Sequence, residues 1–327
     1  MNVLLNCETA QDNRNALFLQ FEGVAFLFVE MALQCHFSLI PIGVIMQSVD
    51  QLNSIINGGI HMAITSLREG DKNDYVKTMQ EYLIKLKYDC GTADGIFGRQ
   101  TTWAVKWFQY RNGLTVDGIC GVNTRDKMIS SSAVKGVPNG YENWTYGKSP
   151  LYFHMNDPLW NSYPYDAANT SKTETVGKTG CGPTTMATIA TNLLGKAILP
   201  PVLCDWSNKN GHRDPNGADG TRPSFFTECA KKYGLRTAII NISSDNPLTS
   251  DHFTLIDQVL RANSLVAASV NSNSPYTNGG HYIMIYKIEN GKVYIKDPVK
   301  SNNDLAPRAV SDWVNGKWVK RFIRVGK

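Results

Sequence analysis

The chain has 327 residues, 42% of them hydrophobic and 19% charged, with 33 Lys plus Arg against 28 Asp plus Glu. That length admits two domains and the composition is ordinary for a globular protein. There is no dense Lys/Arg stripe interleaved with aromatics, so nucleic acid is not indicated as a partner. Seven cysteines, an odd number without a CxxC pair, argue against both a disulfide scaffold and a structural zinc site. No metal and no cofactor are expected.

Residues 1–61 are the least regular part of the chain. Ala16 to Met46 is strongly apolar but interrupted by Glu22, Glu30 and His36. A signal peptide needs a positive n-region, a short apolar core and a small-residue cleavage site, and none is clear. A membrane helix over Val24 to Met46 is the second reading, although Glu30 is costly in its interior and Pro41 kinks it. The preferred reading is an extension, or an upstream start, with the functional chain beginning near Met62. Membrane association is expected only if residues 16–46 form an anchor. Thirty-two of the 33 basic but only 23 of the 28 acidic residues lie from Met62 onward, a balance of +9 that favours an anionic surface.

Residues 62–130 read as a small helical domain. DGIFGRQT (Asp94 to Thr101) recurs as DGICGVNT (Asp117 to Thr124), 23 residues later. Each copy is an Asp-Gly turn, a second Gly turn and a Thr suited to cap a helix. Taken alone, the repeat is a fold signature whose aspartates satisfy loop amides. Val76, Met79, Leu83 and Leu86 form one helical stripe, and Trp103, Ala104, Trp107 and Phe108 another, with Phe97 and Leu114 completing a three-helix core. Cys90 and Cys120 lie near the loops and pair only if the protein is exported; the default is reduced. Cys7, Cys35, Cys204 and Cys229 read as free thiols. Residues 131–150, rich in Ser, Gly, Pro and Asn, read as a linker.

Residues 151–327 carry the chemistry. Cys181, in TGCGPTTMA, opens an apolar helix (Met186, Ala187, Ile189, Ala190, Leu193, Leu194). A helix N-terminus stabilises a thiolate. Gly180 and Gly182 are read as leaving room for substrate beside the sulfur, and Pro183 suits an early helical position. The loop DPNGADG (Asp214 to Gly220) lacks the closing Glu of a calcium loop and reads as polar surface. A nucleophile needs a base, and the base an orienting group. NGGHYIMIYKIENGKVYIKDP supplies both: His281 opens a strand to Ile288, Asn290-Gly291 signals a type I′ hairpin, and Asp297 ends the return strand Lys292 to Lys296. A strict two-residue turn puts Asp297 opposite Met284, on the wrong face for His281, so a bulge, twist or looser turn has to unite them.

Two resemblances follow from these residues. GCGPTTMA, GGHYIMI, IKDP and LYFHMNDPLW together resemble the papain-like cysteine peptidases of the double-glycine-peptidase-like branch, from about Tyr152 to the C-terminus. That implies an α+β fold with a Cys-bearing helix on an antiparallel sheet, Cys181 as nucleophile, His281 as base and later acid, and Asp297 as orienter. Such enzymes carry an oxyanion-donating glutamine where this chain has Met155. His154, Asn156 and the Cys181 N–H are the alternative donors. Asp157 and Trp160 are expected to frame the cleft, and Gly279 and Gly280, before His281, to allow close approach of a substrate backbone. The stretch from about Leu67 to Ile129 resembles the peptidoglycan-binding domain of bacterial and phage wall hydrolases.

The combination implies a Cys-His-Asp peptidoglycan hydrolase acting at the bacterial cell wall, a phage endolysin or a secreted enzyme, that cuts stem or cross-bridge peptides. An amidase with the same triad, a double-glycine processing peptidase and a catalytically weak wall-binding protein are the alternatives.

Overall fold

A computed structural model describes residues 17–21, 24–28, 66–166, 174–214, 220–299 and 306–327. Two units result, Met1–Asn57 and Gly58–Lys327. In the first, β1 (Leu17–Phe21) pairs antiparallel with β2 (Val24–Phe28), Leu17 facing Phe28. The Val24 to Met46 membrane helix therefore fails at its start, because Val24–Phe28 is a strand, and its remainder lies outside the described residues. Among the described residues no helix is long and apolar enough to cross a membrane.

The second unit begins with three helices, α1 (Asp74–Lys85), α2 (Arg99–Arg111) and α3 (Val122–Ile129). The Asn73 side chain caps α1 by accepting the Val76 N–H at 3.0 Å. Val76, Met79, Leu83, Phe97, Trp103, Ala104, Trp107 and Phe108 are all buried, as the two stripes require. Helices α2 and α3 are capped by Gly98 and Gly121, however, and not by the repeat threonines.

Thr101 and Thr124 instead turn inward to a buried glutamine. Gln80 Nε2 donates to Asp94 Oδ1 (3.0 Å), the Ile96 carbonyl (3.1 Å) and Thr101 Oγ1 (3.2 Å), while its oxygen accepts the Gly95 N–H. Gln109 repeats every contact with Asp117 (2.7 Å), Ile119 (2.9 Å), Thr124 (3.1 Å) and Gly118. Asp94 and Asp117 also accept the N–H two residues on. The duplicated aspartates thus satisfy their own loops. Cys90 and Cys120 are free, buried thiols.

The remaining helices are α4 (Val176–Thr179), α5 (Cys181–Leu194), α6 (Pro200–Lys209), α7 (Ser224–Lys232), α8 (Ser250–Arg261) and α9 (Val310–Asn315). Of these, α5, α7, α8 and α9 pack against a six-stranded sheet of β3 (Arg236–Asn241), β4 (Leu265–Val270), β5 (His281–Glu289), β6 (Lys292–Lys296), β7 (Arg308–Ala309) and β8 (Val319–Gly326), while α6 packs on α5 and α2. The strand order is β3-β8-β4-β5-β6-β7 and every pairing is antiparallel. Strand β4 is buried along its whole length, and α5 is buried from Gly182 to Leu193. The fold is α+β, with a cysteine-bearing helix on an antiparallel sheet.

The three-helix region shares a core with residues 155–204 of the peptidase-like domain, while the sheet is packed in a second core of its own. Trp107 meets Phe153 and Trp160 with ring centroids 6.0 and 5.7 Å apart, and Trp103 meets Tyr163 at 5.1 Å. Backbone bonds cross the same seam, Asp89 N–H to Ala197 (3.2 Å) and Ala197 N–H to Lys87 (2.9 Å). Asp89, almost fully buried, takes the Lys196 ammonium at 2.9 Å. The segment 131–150 is likewise anchored: Val137 and Trp144 are buried, and Tyr146 donates to the Ile288 carbonyl at 2.6 Å. Polar composition marked it as a linker, but these three side chains bind it down.

Candidate active site

Cys181 is the first residue of α5, preceded by the single turn α4 and by Gly180. The flanking glycines answer to packing inside the protein. A Cβ on Gly180 would meet the Val176 carbonyl at 2.5 Å, and one on Gly182 would meet Thr221 Cβ at 2.6 Å. The reading that they leave space for substrate is therefore replaced: both spaces are filled by the chain itself.

His281 begins β5, next to β4, and Thr185 of α5 donates to the Tyr282 carbonyl at 3.0 Å, locking the helix to this strand. The hairpin turns through Asn290 and Gly291, both with positive φ (51° and 68°), as a type I′ turn demands. Glu289 faces Lys292, Ile288 faces Val293 and Lys287 faces Tyr294; then the register shifts, and Ile285 faces Ile295 and Met284 faces Lys296. Tyr286 is the extra residue of a bulge. Continuing the shifted register puts Asp297 beside Ile283 instead of Met284, on the same face as His281. One inserted residue therefore resolves the parity conflict.

As a result His281 Nε2 lies 2.8 Å from Asp297 Oδ1, which also accepts the Val299 N–H at 2.9 Å. Asp297 is completely buried and its Oδ2 has no partner among the described residues. With Nε2 held by the carboxylate, Nδ1 is the imidazole nitrogen left for the sulfur. Burial alone would push the half-buried Cys181 thiol up, but hydrogen bonding and attraction from His281, with the N–H groups of Tyr282 and Gly182, hold it below its ordinary value. Burial would push His281 down, and Asp297 together with the sulfur raises it to about 10. These opposite shifts favour the thiolate–imidazolium form of the pair over the neutral one. The other described cysteines go the opposite way: burial pushes Cys90, Cys120 and Cys229 up to about 12 and Cys204 up as well.

The remaining expected residues divide. Met155 is buried in the seam cluster and its N–H donates to the Pro298 carbonyl at 2.9 Å, tying this segment to the residue after Asp297. His154 sits close enough to feel both Asp297 and Asp157, although burial dominates and lowers it; its Nε2 is 2.7 Å from the Tyr152 hydroxyl. Asn156 is exposed beside Thr175, Gly177 and Lys178. Asp157 is a turn residue, its Oδ1 accepting the Leu159 N–H (2.9 Å) and its carbonyl those of Trp160 and Asn161. Trp160 is fully buried at the seam, so it packs and does not line a cleft. Gly279 and Gly280 are exposed, and a Cβ on either would meet nothing within 4 Å. Of DPNGADG only the ends, Asp214 and Gly220, are described, and no cluster of metal-binding side chains occurs among the described residues.

Several contributors have no sequence signal: the Val299 and Tyr282 N–H groups, Thr221 against Gly182, and the Tyr286 bulge. Long-range packing and register position all four.

Comparison with known proteins adds two family matches. Residues 72–128 match the family described as "Putative peptidoglycan binding domain", and residues 150–322 match the Peptidase_C39 like family. A spore cortex-lytic enzyme of Oceanobacillus iheyensis is 36% identical over 66 residues, 20% of this chain and 24% of that enzyme. The Bacillus subtilis enzyme of that name is 33% identical over 94 residues, 27% of this chain and 31% of the relative. The chain thus spans less than a third of these curated relatives. Among solved structures, the peptidase domain of Streptococcus ComA, a bi-functional ABC transporter, is 20% identical with a TM-score of 0.32, covering 45% of this chain and 91% of that one. Since its residues 150–322 make up more than half of the chain, the protein belongs to the Peptidase_C39 like family and carries a peptidoglycan-binding domain ahead of its peptidase-like domain.

Proposed function

We propose that this protein is a cysteine-dependent peptidoglycan hydrolase, an endopeptidase that cuts a peptide bond in wall stem or cross-bridge peptides. The observation that carries the reading is the lowered Cys181 thiol beside the buried His281–Asp297 pair, in a domain fused to a peptidoglycan-binding domain. The lytic names of the partial relatives support the same substrate.

The Cys181 thiolate attacks the carbonyl carbon of the scissile amide, forming a C–S bond and moving the carbonyl π pair onto oxygen. The backbone N–H of Cys181, at the first helical position, donates to that oxyanion. The His281 imidazolium passes its proton to the amide nitrogen as the C–N bond breaks, and the amine leaves a thioester behind. Water then attacks the thioester, giving a proton to neutral His281 and releasing the acid and the thiolate. Asp297 keeps the ring oriented and stabilises its positive form. Met155 offers no side-chain donor, so the oxyanion relies on backbone, and losing one donor of such a site typically costs on the order of 100-fold.

The test is turbidity loss of purified cell walls with mass analysis of the released fragments. New amino termini at stem or bridge residues, abolished by Cys181→Ala, are expected. Undiminished lysis by Cys181→Ala would sink the mechanism, and release of intact peptides from the sugar would reassign it to an amidase.

A further inference from the structure

Two furrows lie away from the sulfur, and they meet. The first, of about 460 Å³, has one wall from each domain: Glu69, Arg99, Trp103 and Lys106 on the helical side, Leu159 and Tyr163 on the sheet side. The second, of about 550 Å³, shares Ser162 and Pro164 with the first and runs past Asn156 to Gly177 and Lys178, on the turn α4 that leads into Cys181. Each is large enough for a disaccharide or a short peptide, on the order of the 300–1,000 Å³ typical of ligand sites.

We propose that the two furrows form one site for a carboxylate-bearing disaccharide–peptide strand, gripped at once by α2 of the helical domain and by the peptidase-like domain on its way to Cys181. This deepens the wall-hydrolase reading and rests on it for the identity of the strand. Charge selects the ligand class. Arg99, Lys106 and Lys178 line the furrows against Glu69, and Lys178 is exposed, three residues before Cys181 in the chain. Wall stem peptides add several free carboxylates to each disaccharide, whereas a glycan stripped of peptide keeps only the lactyl carboxylate of its muramic acid.

The cations are also held in place. Arg99 reaches Tyr163 Oη at 3.3 Å and lies 3.8 Å from both Asp205 and Glu69, so it spans the seam while remaining half exposed. Lys106 is poised over the Trp103 ring at 5.0 Å. Because the seam is a shared aromatic core, the two walls keep a fixed spacing, and ligand pays no cost to align them.

The test uses the full chain with Cys181→Ala, so that binding is read without turnover. Fluorescently labelled, uncross-linked disaccharide–peptide oligomers, and the same glycan freed of peptide, are titrated by anisotropy. Charge reversal of Lys106 and Lys178 to Glu is expected to weaken the peptide-bearing oligomer by roughly tenfold, the combined effect of a few exposed pairs. Lys231→Glu, which reverses an exposed charge on α7 outside the furrows, should leave binding unchanged. Lys106→Gln with Lys178→Gln, milder and shape-conserving, should give a smaller loss in the same direction. Equal affinity in the reversed variant, an equal loss from Lys231→Glu, or equal binding of peptide-free glycan would overturn the proposal. If active enzyme clears walls while binding ignores Lys106 and Lys178, the furrow falls and the hydrolase stands; if the furrow binds but walls are never cleaved, the reverse holds.

Discussion

Replacing Asp297 by Asn isolates the electrostatic part of the site. The carboxylate is completely buried, and its Oδ1 accepts from His281 Nε2 at 2.8 Å and from Val299 at 2.9 Å. An Asn carbonyl can keep both bonds, and its amide group then occupies the place of Oδ2, an atom that already lacks a partner among the described residues. Geometry and tautomer should therefore persist while the charge disappears. Two unit charges about 4 Å apart at an effective dielectric of about 20 interact by about 4 kcal/mol. Relaxation and competing dipoles remove part of that, leaving an expected loss of about ten- to a hundredfold in thiolate–imidazolium population at neutral pH. The assay is alkylation of Cys181 by iodoacetamide across pH. In the parent, reactivity rises as the thiol, lowered from its ordinary range, deprotonates, and the imidazolium partner is lost only as pH climbs through about 10. In Asp297→Asn the acidic limb should move to higher pH and the imidazolium should be lost at lower pH, narrowing the window from both sides. A folded variant with an unchanged rate and unchanged limbs would refute the assignment of Asp297 as the group that raises His281.

Other outcomes follow from packing. Gly182→Ala drives a methyl into Thr221, 2.6 Å from its Cβ position, and should cost about 1–3 kcal/mol and displace Cys181, read as a lower melting temperature with slower alkylation. An unaltered melting curve would show that Thr221 yields freely. Gln109→Leu removes a fully buried amide, leaving the Gly118 N–H without its acceptor and Asp117 Oδ1 with the Ile119 N–H as its remaining donor; about 2–3 kcal/mol and faster amide exchange at Gly118 are expected. Gln80→Leu should act alike at Gly95, and indifference of either would remove the glutamine from its structural role. Lys196→Met leaves the Asp89 carboxylate, 3% exposed, with only Gln100 and Tyr233 as side-chain partners. With Lys196 itself 40% exposed, a loss of about 1–2 kcal/mol is expected, with faster exchange at the Asp89 and Ala197 amides; no change there would mean that the aromatics and backbone bonds hold the seam without this ion pair.

Much of the site was legible in local pattern. Cys181 ahead of an apolar run, His281 at a strand start and Asp297 beyond Asn290-Gly291 are each one-dimensional signals, because a helix cap, an alternating strand and a primed turn are set by neighbours in sequence. What was illegible depends on residues far apart. No pattern announces that Tyr286 bulges, yet that residue decides which face Asp297 takes. Gln80 and Gln109 lie 29 residues apart while their loops repeat at 23, so periodicity could not pair them with their aspartates. Trp160 read as a cleft residue because its partner Trp107 lies in another domain. The 131–150 segment read as a linker because composition does not weigh two buried side chains, Val137 and Trp144, and the half-buried Tyr146 against the Ser, Gly, Pro and Asn around them.

That last point changes what a wall-binding domain can contribute. A module on a flexible tether raises the effective concentration of an enzyme at its substrate but leaves the angle of attack free. Here Trp103, Trp107, Tyr163 and Trp160 fuse the two domains, and Asp89 with Lys196 clamps the same seam, so the walls of the proposed furrow and Cys181 stand in a fixed relation. On the function proposed, the module then selects the bond as well as the surface: only a peptide bond at a set distance from the gripped carboxylates can reach the sulfur. Positioning of this kind lowers the entropy cost of the attack, and it is lost when a substrate is shortened so that it no longer spans both furrows. A short peptide should consequently be a poor substrate in turnover as well as in affinity, whereas a tethered module would leave the turnover of short peptides equal to that of the wall.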